Sequence, residues 1–250
     1  MAEAETVAVT PDVEVVLEEC ASAGGVLRDV LAAVDDEFVN APSALPGWSR
    51  GHVLAHIANV GDAAARQVEY AARAELVEFY DGGREGRNAA IEAGAVLPAS
   101  EHQERLARVF DRLEQTWPPP GSALWDQRVS YREGTVFGVA LAWWRETRIH
   151  LVDLDAGIGA DTWSETFCRH LFEFLAPRLP SGTTVELRPN GHEPWRAPDA
   201  PSTPPYVSVH GDIHDIAMWL AGRVPACMPV AFVDGQRRVL PALDPWPSAR

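Results

Sequence analysis

The sequence predicts an α plus α+β protein: an all-α part over residues 1–158, then a smaller α+β part over residues 159–250. Two observations carry this. Before residue 158, four long stretches place apolar residues at the three-to-four spacing of amphipathic helices. After Gly157 and Gly159, short runs rich in Val, Tyr and Phe appear between helical segments, as in a small sheet domain. The length of 250 residues allows one large domain or two modest ones. With 46% hydrophobic and 23% charged residues, the chain can bury a core without a disulfide or a structural metal.

The elements follow in order. Residues 12–38 carry Val13, Val16, Leu17, Val26, Leu27, Val30, Leu31 and Val34 at helical spacing, with a dent expected at Gly24-Gly25. Residues 40–47 are a breaker cluster with two prolines. Ser49 then offers an N-cap to a helix reaching about Arg73, with Val53, Ile57, Val60, Ala64 and Val68 as its stripe. Residues 80–98 are Gly-rich and read as irregular, with a short helix near 87–93. A third long helix runs from Ser100 to Trp117 and is stopped by Pro118-Pro119-Pro120. A fourth spans 135–155 and ends near Gly157. Beyond it, 162–178 is helical, 183–187 and 206–210 are strands separated by a Pro/Gly-rich excursion, 212–223 is helical, and 230–233 is a last strand before Asp234-Gly235.

Composition excludes several classes. The net charge of −15 repels phosphate backbones and anionic lipid, so neither nucleic acid nor membrane is an expected partner. All 21 basic residues are Arg, which removes Lys Schiff-base chemistry and a P-loop Lys. An anionic substrate must be held by Arg, a metal or backbone N–H groups. Three scattered cysteines, Cys20, Cys168 and Cys227, fit a reducing compartment and form no CxxC pair. Residues 1–12 are acidic and lack the regions of a signal peptide, and no apolar run is long enough to span a bilayer, so a cytoplasmic protein is expected. It is expected as a monomer or small homo-oligomer.

The chemistry-bearing residues are histidines. His102 and His170 are placed on polar helix faces, His192 in a loop, and His210 and His214 on either side of a strand-to-helix boundary. His52 and His56 stand one turn apart, a spacing that suits a metal, but without the Glu of a zinc protease motif. His56 lies within the apolar stripe, so on spacing alone a core histidine hydrogen-bonded to a neighbour is the simpler reading. Glu146 and His150 share a helix face with Val139, Trp143 and Asp153. They are either a surface ion pair, which Arg145 and Arg148 would support, or an inward-facing pair, since the preceding run 137–144 leaves few polar faces. Together His56, Glu146 and His150 would make the three-ligand, open-sided site of a catalytic divalent cation, zinc above all, of the kind built between the helices of bundles.

The stretch Leu45-Pro-Gly-Trp-Ser-Arg-Gly-His-Val-Leu-Ala-His-Ile-Ala58, with Trp144-Arg-Glu-Thr-Arg-Ile-His-Leu-Val-Asp153, resembles the mycothiol-dependent maleylpyruvate isomerases, which are DinB-like metal-binding four-helix bundles. Residues 87–94 resemble the family's segment between its second and third helices. Residues 207–223 resemble its C-terminal strand and helix, in a small domain similar to sterol-carrier-like α+β modules. The resemblance implies zinc on His56, Glu146 and His150, and leaves His52 as a pocket or structural residue.

It further implies mycothiol as a thiol cosubstrate, since neither metal motif contains a cysteine. A cation beside the thiol favours the thiolate, the nucleophilic form. Addition to a cis enedioate such as maleylpyruvate, rotation and elimination would give fumarylpyruvate. The same front half without elimination is S-transfer to another electrophile. A non-catalytic metal-binding or regulatory bundle is a second class of reading, and a zinc hydrolase ranks last because no general base is evident.

Arg223, closing Leu-Ala-Gly-Arg, is the candidate grip on the anionic electrophile, or equally an Arg favoured by a helix C-terminus. Asp153 is expected to orient a pocket group or to be a surface carboxylate. Trp48 and Trp143 are expected to wall the cofactor pocket, or else to pack in the core.

Overall fold

The computed structural model describes residues 11–197 and 206–247, which fall into two compact units, 12–159 and 160–247. The expectations for residues 1–10 and for the 198–205 part of the Pro/Gly-rich excursion lie outside the described residues. The chain carries a helical N-terminal region followed by a small mixed-sheet region, the α plus α+β class.

In the first unit, helix α1 (Val13–Ala32) is capped by Asp12, whose carboxylate accepts the Glu14 N–H at 2.9 Å. Gly24-Gly25 does not interrupt it; Gly24 instead brings α1 to the Phe110 ring. The expected helix over 12–38 is two helices. Asp35 accepts the Phe38 N–H at 2.9 Å and so starts a separate short helix, α2 (Asp36–Asn40). Helix α3 (Arg50–Ala71) begins at the expected Ser49 cap.

Helix α4 (Gly83–Ala95) is longer than the segment 87–93 read from the sequence, and α5 (Ala99–Thr116) ends just before Trp117 and its prolines. Helix α6 (Val136–Asp153) is capped by Thr135 and followed by Gly157 at φ 81°, a conformation that glycine adopts without strain.

Helix α3 is the buried centre of this unit. It packs against α4, α5 and α6, and α1 packs against α5 and α6. Two glycines set how closely. A methyl group on Gly61 would collide with Val109 of α5 and approach the Trp143 ring of α6 to 3.1 Å, and one on Gly94 would come within 2.8 Å of Ala55. These contacts bring α3 and α6 near enough for side chains on both to meet.

In the second unit, α7 (Glu165–Leu175), capped by Ser164, packs against α8 (Ile213–Leu220), capped by Asp212. The sheet has five strands in the order β2-β1-β3-β4-β5, with β1 (Thr184–Pro189), β2 (Trp195–Arg196), β3 (Tyr206–Gly211), β4 (Val230–Val233) and β5 (Gln236–Arg238). β1 and β3 run parallel and the other pairs antiparallel, with Leu187 opposite Val209 and Val209 opposite Ala231 in the core. The strands β2 and β5 were not anticipated, because two or three residues are too few to show alternation. No helix among the described residues is long and apolar enough to cross a membrane.

Candidate metal centre

Helices α3 and α6 bring three polar side chains to one point. The imidazole of His56, on α3, places Nε2 3.0 Å from Oε2 of Glu146, on α6. One turn further along α6, His150 places its Nε2 3.1 Å from the same oxygen. The two rings meet edge to face, with centroids 4.7 Å apart. One potential donor atom from each residue lies within 4.8 Å of the others, and no other such group of three His, Cys, Asp or Glu was found among the described residues. Ligands of a tetrahedral zinc with bonds of about 2.0–2.1 Å stand roughly 3.3 Å apart, so the donor set has the right chemistry and nearly the right spacing. Both imidazoles are buried, and Glu146 is the more open of the three.

The electrostatics are those of a tightly held cluster. Burial depresses the His56 pKa below its ordinary value, against an upward pull from Glu146. Burial alone would raise Glu146, but hydrogen bonds from His150 and then His56 hold it well below the usual carboxylate range. For His150 burial works downward, and the bonds to Asp153 and Glu146 outweigh it and raise the pKa.

Asp153 has a more specific place than either sequence expectation gave it. It is fully buried rather than at the surface, and its Oδ2 lies 2.8 Å from Nδ1 of His150. A carboxylate there fixes the proton on Nδ1 and leaves the Nε2 lone pair for a cation, the usual device behind a metal-binding histidine. His56 has a different neighbour at its outer nitrogen: Nη2 of Arg87, on α4, lies 3.3 Å from Nδ1.

The ring of Tyr80 lies 6.0 Å from the Arg87 guanidinium. Burial pushes its hydroxyl pKa up and Glu146 adds to this, while the positive charge of Arg87 opposes. Arg145 is buried near Tyr131 and Glu146, and burial pulls its pKa down to about 10.

The other anticipated residues divide. His52 is the reciprocal half of the α3 capping box: its Nδ1 accepts the Ser49 N–H at 3.2 Å, while its ring stacks on Trp48 at 5.9 Å. Trp48 also meets the His56 ring edge at 5.7 Å, at the border of the cluster. Trp143 is buried in the bundle core against Phe110, where Gly61 leaves room for its ring. Arg223 follows α8 in the second unit, where it donates to the Ala221 carbonyl at 2.8 Å and lies 5.5 Å from the Trp246 ring.

His102 and His170 are buried, not on polar faces. His102 stands four residues before Leu106 and so continues the apolar stripe of α5. Arg87 and Tyr80 were given no role from the sequence, because the 80–98 segment was read as irregular. The signal available was the spacing of Arg87, Ile91 and Gly94, which share one face of a helix.

Comparisons with known proteins agree with this architecture. The family model for the mycothiol maleylpyruvate isomerase N-terminal domain matches residues 20–155, and that for the MDMPI C-terminal domain matches residues 162–242. No curated protein matches the chain. A crystal structure of a mycothiol-dependent maleylpyruvate isomerase superposes with TM-score 0.80 at 24% identity, covering 93% of this chain and 96% of that one. A histidine-to-alanine mutant of a mycothiol-dependent maleylpyruvate isomerase gives TM-score 0.79 at 23% identity, with the same coverage. At these identities the structural likeness speaks for the fold, and the family models, which together span most of the sequence, speak for descent. The chain belongs to the mycothiol maleylpyruvate isomerase family of enzymes.

Proposed function

We propose that the protein is a zinc-dependent enzyme that uses mycothiol as a nucleophile, with cis–trans isomerisation of maleylpyruvate to fumarylpyruvate as its reaction. The observation that carries this reading is the meeting of His56, Glu146 and His150 on two helices, with Asp153 behind His150. The three side chains would hold the cation, leaving a position open. A cation bound there would supply the electrostatic stabilisation that lets a thiol act as thiolate near neutral pH.

The chain's own residues do the rest. Asp153 and the bundle core fix the His150 ring, and the burial of both imidazoles keeps bulk water from their donor atoms. Trp48 borders the cluster on the side of His56 and is proposed, with His52, to contact the thiol. The thiolate adds to the double bond of the enedioate, the resulting single bond rotates, and loss of the thiolate restores the double bond in the trans form. Arg223 is proposed, on its sequence position alone, to grip a substrate carboxylate.

A second reading keeps the same residues: S-transfer of mycothiol to another electrophile, the addition without the elimination. The thiol step is common to both readings, and they differ only in the fate of the adduct.

The test combines zinc analysis with a thiol-dependence assay on maleylpyruvate. About one zinc per chain and mycothiol-dependent formation of fumarylpyruvate are expected. His150→Ala should lose both, and Arg223→Ala should keep zinc while raising KM for the electrophile. Full activity in metal-free protein would sink the zinc reading. Thiol consumption on other electrophiles without isomerisation would move the assignment to transfer.

A further inference from the structure

We infer that Arg87 is a carboxylate-binding residue of the site, freed for that role when His56 turns its inner nitrogen over to the metal. This rests on the metal reading above and adds a residue and a ligand class to it.

The argument begins with the protons on one imidazole. A neutral histidine has one N–H, and the nitrogen that binds a cation must present its lone pair. His56 faces Glu146 with Nε2 and Arg87 with Nδ1. As the structure stands the pattern is consistent: Arg87 donates to Nδ1 and the proton on Nε2 goes to Glu146. Ligation through Nε2 moves the proton to Nδ1. A guanidinium has five donors and no acceptor, so the Arg87 contact would then set one donor against another. His150 has no such conflict, because Asp153 at its outer nitrogen accepts. The two histidines of one site therefore have opposite partners. Only the pair on His56 must separate for the site to be filled.

The second part concerns what Arg87 meets once it turns away. Among the described residues no carboxylate lies within 4.0 Å of its guanidinium. Its other contacts are the Asn88 side chain at 3.1 Å and the Tyr80 ring at 6.0 Å. It borders a cavity of about 300 Å³ that Tyr80, Phe79 and Asn59 also line. Two other arginines reach this cavity, and both are occupied: Arg66 by Asp81 at 2.6 Å, and Arg112 by Asp62 at 3.0 Å and Glu69 at 2.8 Å.

Arg87 is thus the cavity arginine without a carboxylate partner among the described residues, one imidazole away from the donor cluster. Its fork geometry suits a carboxylate, and the cavity is at the small end of ligand pockets, which fits a short dicarboxylate rather than a bulky ligand.

The probes are zinc, cobalt and maleate. Chelator-stripped wild type, Arg87→Met and Arg87→Lys are titrated with zinc by calorimetry, then loaded with cobalt and titrated with maleate while the visible spectrum is followed. Arg87→Met is expected to bind zinc at least as tightly as wild type and to bind maleate at least tenfold more weakly. Arg87→Lys is expected to recover part of the maleate affinity, and it carries the test if the Met variant fails to fold.

A tenfold or greater loss of zinc affinity with maleate binding unchanged would make Arg87 a buttress of His56 and overturn the inference. So would equal maleate affinity in all three proteins, or no maleate binding by wild type. Wild type that binds no zinc removes the metal reading and the inference with it. The expected binding pattern without thiol-dependent turnover removes the proposed reaction and leaves Arg87 in its role.

Discussion

Asp153 is buried within the bundle, and its carboxylate meets the Nδ1–H of His150. A buried carboxylate without a partner is costly, so the pair is mutually enforced: the imidazole satisfies the carboxylate, and the carboxylate orients the imidazole and makes its far nitrogen a better ligand. Replacing such a carboxylate typically costs 10–100-fold in metal affinity. Asp153→Asn keeps an acceptor and loses the charge, so zinc affinity is expected to fall by about tenfold. Asp153→Leu loses both and should fall nearer 100-fold. Zinc calorimetry on the two variants checks the ordering. Equal affinities in wild type and Asp153→Leu would show that the His150 ring is held by its helix alone.

At the scale of elements, the cluster depends on how closely α3 approaches α5 and α6. Gly61 lies five residues after His56 on α3 and faces Val109 and Trp143, while Trp143 lies three residues before Glu146 on α6. Adding a methyl group here forces the helices apart or the indole out of its rotamer. Gly61→Ala should therefore destabilise the protein by about 1–3 kcal/mol despite its better helix propensity. It should also weaken zinc binding through the spacing of His56 from Glu146. Urea unfolding and zinc titration on one preparation test both; an unchanged midpoint would mean that the packing accommodates the methyl.

Elements also mark what the sequence could show. The i, i+4 pair of Glu146 and His150 and the Ser49 cap were legible because each is a local pattern. His56 was not separable from a core histidine by its own spacing; it became a ligand candidate only beside Glu146 and His150, and the family resemblance chose it over His52. Arg87 could be placed on a helix face with Ile91 and Gly94, but its role could not be read, because that comes from the contact of α4 with α3 and a stripe on one helix does not report its neighbour. The strands β2 and β5 exist through pairing with β1 and β4, not through any alternation of their own.

For the whole molecule, pH acts through two opposed effects. The net charge of −15 at pH 7 repels itself, and acid relieves that repulsion as carboxylates protonate. His102 works the other way. It is fully buried on α5, both ring nitrogens lack a hydrogen-bond partner among the described residues, and burial, with a smaller push from Arg105, lowers its pKa from 6.5 to about 4. Above pH 6.5 the imidazole is neutral in folded and unfolded chains and contributes nothing to the pH dependence. Between pH 6.5 and 4 the unfolded chain binds the proton and the folded one resists it, so stability falls as pH falls and levels off below about 4. At about 1.4 kcal/mol per pH unit, the ceiling is roughly 3 kcal/mol. His102→Leu removes the titration and two unpaired polar atoms together. It should be at least as stable as wild type near pH 7.5, and relatively more stable by about 2 kcal/mol at pH 5. Urea unfolding of both proteins at the two pH values isolates this term, because carboxylate repulsion is common to them. Parallel pH profiles would mean that the His102 ring gains a proton and a partner without unfolding the molecule.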